Sequence, residues 1–91
     1  MKKYKVGGLF VSAEIIAGEE PWDNGQWDDP YGDYVEAETP EEAVEQVMDW
    51  LVEEASGEAE INEAGDMVIY RDEDGEITSG IALFEATEIE N

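Results

Sequence analysis

Between Val6 and Tyr70 the chain carries 19 acidic residues and not one Lys or Arg. Its only cations are Lys2, Lys3, Lys5 and Arg71, set against 26 Asp and Glu, for a net charge of −22. Any fold must therefore keep its carboxylates on the surface, because internal ion pairs cannot neutralise them and a buried, unpaired carboxylate is prohibitively costly. Spreading so many like charges over a small body costs stability through self-repulsion. Solubility needs a net charge of magnitude only about 2–8. The excess therefore points to a partner that supplies the missing cations.

The chain is nevertheless built to fold. Apolar residues make up 42% of it and include Trp22, Trp27, Trp50, four Tyr and two Phe, too many for a disordered acidic tail. A chain of 91 residues forms one domain, residues 1–91, burying roughly 60–65% of its unfolded surface. Cys and His are absent, which excludes a disulfide framework, thiolate metal sites and cysteine nucleophiles. The start, Met1-Lys2-Lys3-Tyr4-Lys5 followed by Val6 to Ala13, superficially resembles a signal peptide. Its apolar stretch is short and contains Gly7-Gly8, and it reads as a core strand instead. No run approaches the roughly 20 apolar residues of a membrane span, and an anionic lipid surface would repel the chain. No membrane association and a cytoplasmic location are the expectations.

Residues 3 to 16 read as one long strand. Tyr4 and Val6 share a face, and Leu9, Val11, Ala13 and Ile15 continue after a phase change at Gly7-Gly8, the signature of a bulge. Tyr34 to Glu38 alternates with period two and reads as a second, antiparallel strand. Thr39-Pro40-Glu41-Glu42 is a capping box with proline at the first helical position. The helix it opens has Ala43, Val44, Val47, Met48, Leu51 and Ala55 on its apolar face, with Glu42, Glu45, Gln46, Asp49 and Glu53 opposite. Gly57 suits a left-handed stop. Glu58 to Ile61 reads as a short strand or an extended connection. Met67 to Tyr70 and Ile77 to Ile89 form a hairpin around Asp72-Glu73-Asp74-Gly75, a type I turn with a glycine bulge. The expected fold is α+β: an antiparallel sheet of about four strands in the order β-β-α-β-β, one helix packed on one face.

Three acidic groups stand out as partner-binding candidates. On the helix, Glu42, Glu45, Asp49 and Glu53 span about 16 Å at about 1.5 Å per residue. A DNA strand places about five phosphates in that length. An ordinary solvated face mixes charge signs, whereas Glu45-Asp49-Glu53 is a like-charge ladder, and Glu53 sits at the negative end of the helix dipole. The second group is the long segment holding Trp22, Asp23, Trp27, Asp28, Asp29, Tyr31 and Asp33. It exceeds the usual length of a plain turn and sets aromatics beside charges, as binding hot spots do; its aromatics are equally suited to covering the sheet. Asp72, Glu73 and Asp74 of the hairpin turn are the third.

Other chemistries fit less well. Neither acidic loop has EF-hand spacing, so no metal is expected. Without His or Cys, with no base beside Ser12, Ser56 or Ser79 and no glycine-rich phosphate loop, no catalytic residue and no cofactor are expected. Direct binding to nucleic acid needs a basic footprint, the opposite of this charge.

In size, extreme negative charge and lack of catalytic residue types, the chain resembles the small acidic DNA-mimic inhibitors of phage: anti-CRISPR and anti-restriction proteins and the uracil-DNA glycosylase inhibitor. These share no motif, so the resemblance assigns no site residue. It implies a protein that occupies the basic DNA- or RNA-binding groove of a defence nuclease, foremost a CRISPR effector; a monomer or small homo-oligomer is expected. Two other readings use the same composition. One is a halophilic-type small globular domain, disfavoured by 18 Glu to 8 Asp and by seven Ile. The other is a generic acidic interaction module for a basic partner.

Overall fold

The N-cap forms at Thr39, as expected. Thr39 is extended (φ −134°, ψ 157°) and its Oγ1 accepts from the Glu42 backbone N–H at 3.2 Å, satisfying a donor that a helix start otherwise leaves free. The Glu42 carboxylate reaches one residue further back than a capping box requires and accepts from the Glu38 N–H at 3.1 Å instead of from that of Thr39. The computed structural model describes residues 1–89; Glu90 and Asn91, the last two residues of the expected domain, lie outside the described residues.

The elements are β1 (Lys2–Ser12), the single turn α1 (Ala13–Ile16), a 3-10 turn at Trp22–Asn24, β2 (Gln26–Asp28) and β3 (Tyr34–Ala37). They continue with α2 (Pro40–Glu54), β4 (Glu58–Ile61), β5 (Val68–Arg71) and β6 (Ile77–Glu88). The class is α+β, with one main helix and an antiparallel sheet. Its strands run β2-β1-β6-β5-β4, and β3 pairs with the N-terminal half of β1 along the edge that β2 occupies further on. Six strands replace the expected four, because Gln26–Asp28 and Glu58–Ile61 both pair.

Helix α2 buries Ala43, Val47, Met48 and Leu51 against Tyr4, Val6, Val35, Ala37, Val68 and Ile81 of the sheet. Each large apolar side chain so buried contributes about 1.5–3 kcal/mol. Trp50, which the helical wheel leaves out of the apolar face, is half-buried and meets Tyr31 edge to face, ring centroids 4.8 Å apart. The opposite sheet face holds a smaller cluster: Val11, Ile15 and Ala82 are buried there, outside the main core.

Three local expectations are corrected. The first strand ends at Ser12 rather than Ile16, and Ala13–Ile16 turns helical. The phase change at Gly7-Gly8 is real, but the extra residue is in β6, not β1. Gly7 stands opposite Glu85 and Leu9 opposite Ala82, so three steps of β6 face two of β1. Leu83 in that bulge has φ +54°, the region that L-residues seldom adopt, and is 63% exposed. Finally, Gly57 is not left-handed; Ala55 itself leaves the helix in extended conformation (φ −63°, ψ 134°).

The expected hairpin turn forms. The Gly75 N–H donates to the Asp72 carbonyl at 3.0 Å, and Gly75 takes φ +84°. No helix of the described residues is long and apolar enough to cross a membrane.

Candidate functional site

The charge is as exposed as the sequence requires: no polar or charged residue is buried among the described residues. Of the cations, Lys2 lies 3.6 Å from Glu88, Lys5 3.8 Å from Asp29, and Arg71 2.7 Å from Glu60. Lys3 sits over the Tyr34 ring at 4.8 Å. Exposed ion pairs contribute only about 0–1 kcal/mol each. Among the described residues they draw on three acids, so most of the described carboxylates have no cationic neighbour. Burial pushes the Tyr70 phenol above its ordinary value, so this side chain adds no negative charge at neutral pH.

Glu42, Glu45, Asp49 and Glu53 are all exposed along α2. Glu42 is partly committed to the Glu38 N–H, and Gln46 to the Glu36 carbonyl at 2.9 Å. Glu41 is exposed as well and extends the ladder one turn toward the N-terminus. In the long loop, Trp22 is 42% and Trp27 53% exposed. Trp27 pairs with Leu9 and lies across Gly7, where a Cβ would stand 2.6 Å from its ring. Asp28 accepts from the Asp29 N–H and Asp33 from the Tyr34 N–H, both at 2.8 Å. Asp23 is exposed in the 3-10 turn. Tyr31 is half-buried against Trp50. At the hairpin, Asp72 Oδ1 accepts from the Asp74 and Glu76 N–H groups at 2.9 and 3.0 Å; Glu73 and Asp74 are exposed at its tip.

The N-terminal half of α2 and the hairpin turn are far apart: the Phe84–Ala86 stretch beside Glu41, Glu45 and Asp49 lies about ten residues from the turn, roughly 30 Å at 3.3 Å per residue, in a molecule 43 Å long. The C-terminal end of α2, with Glu53, leads instead to Gly57 and Glu58, which lie beside Arg71 at the base of that turn. The α2 face and the Trp22 turn do approach one another. A groove of about 620 Å³ runs between α2 and β6, with Glu41, Glu45 and Asp49 on its helical wall and Val44, Met48 and Phe84 among its apolar residues. A second hollow of about 490 Å³, lined by Trp22, Met67 and Leu83, shares Val44, Gly65 and Phe84 with the first. Among the described residues, no three carboxylates converge as metal ligands do.

Comparison with protein families, with curated proteins and with solved structures gives no match to this chain.

Proposed function

We propose that this protein acts by binding rather than catalysis, as an acidic nucleic-acid mimic that occupies the basic DNA- or RNA-binding groove of a defence nuclease, a CRISPR effector foremost. One observation carries the reading: the chain folds as an α+β body although its sequence has 26 acids against four cations, and among the described residues its ion pairs engage three acids. A basic groove made for phosphates supplies the missing counter-charge. On α2, four exposed carboxylates over about 16 Å approach the linear charge density of a DNA strand. Coulomb attraction of this kind gives fast, salt-sensitive association, and the exposed Trp22 and Trp27 supply contacts that salt weakens less.

The test is capture of a partner from lysate at low salt, followed by elution in a salt gradient. The reading expects a nucleic-acid-processing protein that elutes as ionic strength rises. The triple variant Glu45→Lys, Asp49→Lys, Glu53→Lys should lose this partner while melting close to the parent, since all three residues are exposed. Capture that survives both charge reversal and high salt would contradict the mimic reading.

A further inference from the structure

Strand β6 has twelve residues and β5 only four. The β5–β6 ladder ends where Val68 meets Ile81, while β1 accompanies β6 as far as Glu88. Among the described residues, β6 therefore has a strand on one side only from Ala82 to Glu88. The backbone direction there follows from a single bond: the Ile89 N–H donates to the Lys3 carbonyl at 2.8 Å. In an antiparallel ladder, alternate residues turn their N–H and C=O groups to the same side. Thr87 and Glu85, opposite Lys5 and Gly7, thus face β1, and Ala86 and Glu88 point their N–H and C=O groups away from it, along the open edge.

Both hollows described above open along that edge, the first at Phe84 to Ala86 and the second at Ala82 to Phe84. Helix α2 overlooks it with Glu41, Glu45 and Asp49, and Trp22, Met67 and the exposed Leu83 border its Ala82 end. We infer that it is a strand-addition site for an extended segment of a partner protein with basic side chains at alternate positions and apolar ones between. Main-chain bonds to an exposed sheet edge supply affinity, and pockets for alternate side chains supply specificity. Charge fixes the occupant. Glu41, Glu45 and Asp49 recur every four helical residues, about 6 Å apart at 1.5 Å per residue, and alternate residues of a strand recur about every 6.6 Å. Three Arg or Lys residues on one side of the added strand therefore match three carboxylates, their aliphatic stems lying over Val44 and Met48. The apolar side chains between them meet Trp22 and Leu83 where the added strand passes the Ala82 end of the edge, which gives these exposed apolar groups a partner. An acidic segment is repelled, and a second copy of this chain, at −22, is repelled as a whole. The inference goes beyond nucleic-acid mimicry and holds whether or not the carboxylates stand in for phosphates.

The probe is a blocked hexapeptide alternating arginine and valine, titrated into the full chain at an ionic strength of about 0.15 M and followed through backbone amide resonances. Saturable shifts should centre on Phe84 to Glu88, with slowed hydrogen exchange at the Ala86 and Glu88 amides. A peptide of the same composition with its arginines and valines in separate blocks should bind at least about tenfold more weakly. So should the alternating peptide N-methylated along its pairing edge. Ala86→Pro removes an N–H that points away from β1, a position where proline is tolerated in an edge strand, and should abolish the protection at Glu88. If that variant fails to fold, the N-methylated peptide puts the same question to the unaltered protein. Equal affinity for all three peptides, shifts spread over Asp72 to Asp74 as strongly as over β6, or no saturable binding would each overturn the inference. None of these outcomes bears on whether the protein competes with nucleic acid.

Discussion

Gly8→Ala offers a quantitative check on how the sheet packs. A Cβ at Gly8 would lie 2.6 Å from Cγ2 of Ile81 and 3.3 Å from Cδ1 and Cε1 of Phe84, against an optimal carbon–carbon separation of about 3.5–4.0 Å. Ile81 is 2% exposed and belongs to the core beneath α2, so it cannot simply swing aside. Overpacking of this kind costs about 1–3 kcal/mol, and the lower chain entropy of unfolded alanine offsets about 0.5–1 kcal/mol. The net loss should be about 1–2 kcal/mol. With about 2.1 cal/mol/K of unfolding entropy per residue, 91 residues give roughly 190 cal/mol/K, so Tm should fall by about 5–10 °C. Gly7→Ala is the control. Its Cβ would meet the Trp27 ring at 2.6 Å, but Trp27 is 53% exposed on a three-residue edge strand and can move. That variant should lose less than about 1 kcal/mol and shift tryptophan fluorescence to the red as the indole is displaced into water. Thermal melts and emission spectra of the two variants decide the matter. A Gly8→Ala protein as stable as the parent, or a Gly7→Ala protein that is the worse of the two, would refute the packing described here.

Val47→Asp and Leu51→Asp should each cost several kcal/mol, enough to abolish cooperative melting by circular dichroism, since Val47 is fully buried and Leu51 nearly so; native-like melting would place α2 the wrong way round. Stability should rise with salt. The Debye length falls from about 30 Å at 0.01 M to about 10 Å at 0.1 M, that is, from the scale of the whole 43 × 27 × 22 Å molecule to that of near neighbours. Tm should therefore climb over that range, and a flat response would show that carboxylate repulsion does not limit stability. Trp22→Ala and Trp27→Ala should chiefly quicken dissociation of the captured partner, measured by surface-based kinetics, with association little changed; the reverse pattern would remove the aromatic contacts from the account.

Local chemistry was legible in the sequence, as were the pairing of β3 with β1 and the β5–β6 hairpin; the remaining pairings were not. Thr39, Pro40 and Glu42 announced α2 because an N-cap is satisfied within four residues. The four-residue alternation of β3 was likewise readable. β2, whose three residues are all exposed, carries no alternation and exists through its pairing with Gly8 to Phe10. Ala13 and Ile15 continue a strand pattern, yet burying Ile15 is served as well by one helical turn, and that is what forms. The glycine pair marked the bulge without saying which strand holds the extra residue, since a bulge belongs to both strands. Trp50 sits at the margin of the wheel, and its burial depends on Tyr31, nineteen residues away in the chain. The acidic stripe could be read from Glu42, Glu45, Asp49 and Glu53, whereas the approach of its N-terminal part to the Trp22 hollow required the strand order. One signal for the open edge did lie in the sequence: a strand of about twelve residues follows one of four across a tight turn, and so short a partner cannot cover it.

Mimicry is tested by competition on the captured partner, with labelled DNA or RNA held at a fixed concentration near its dissociation constant while this protein is added. The account predicts that the label is displaced completely, that its apparent affinity falls in proportion to the protein added, and that the displacement weakens as salt rises. Simultaneous binding of both, each with unchanged affinity, would contradict mimicry and leave an acidic module that binds its basic partner elsewhere.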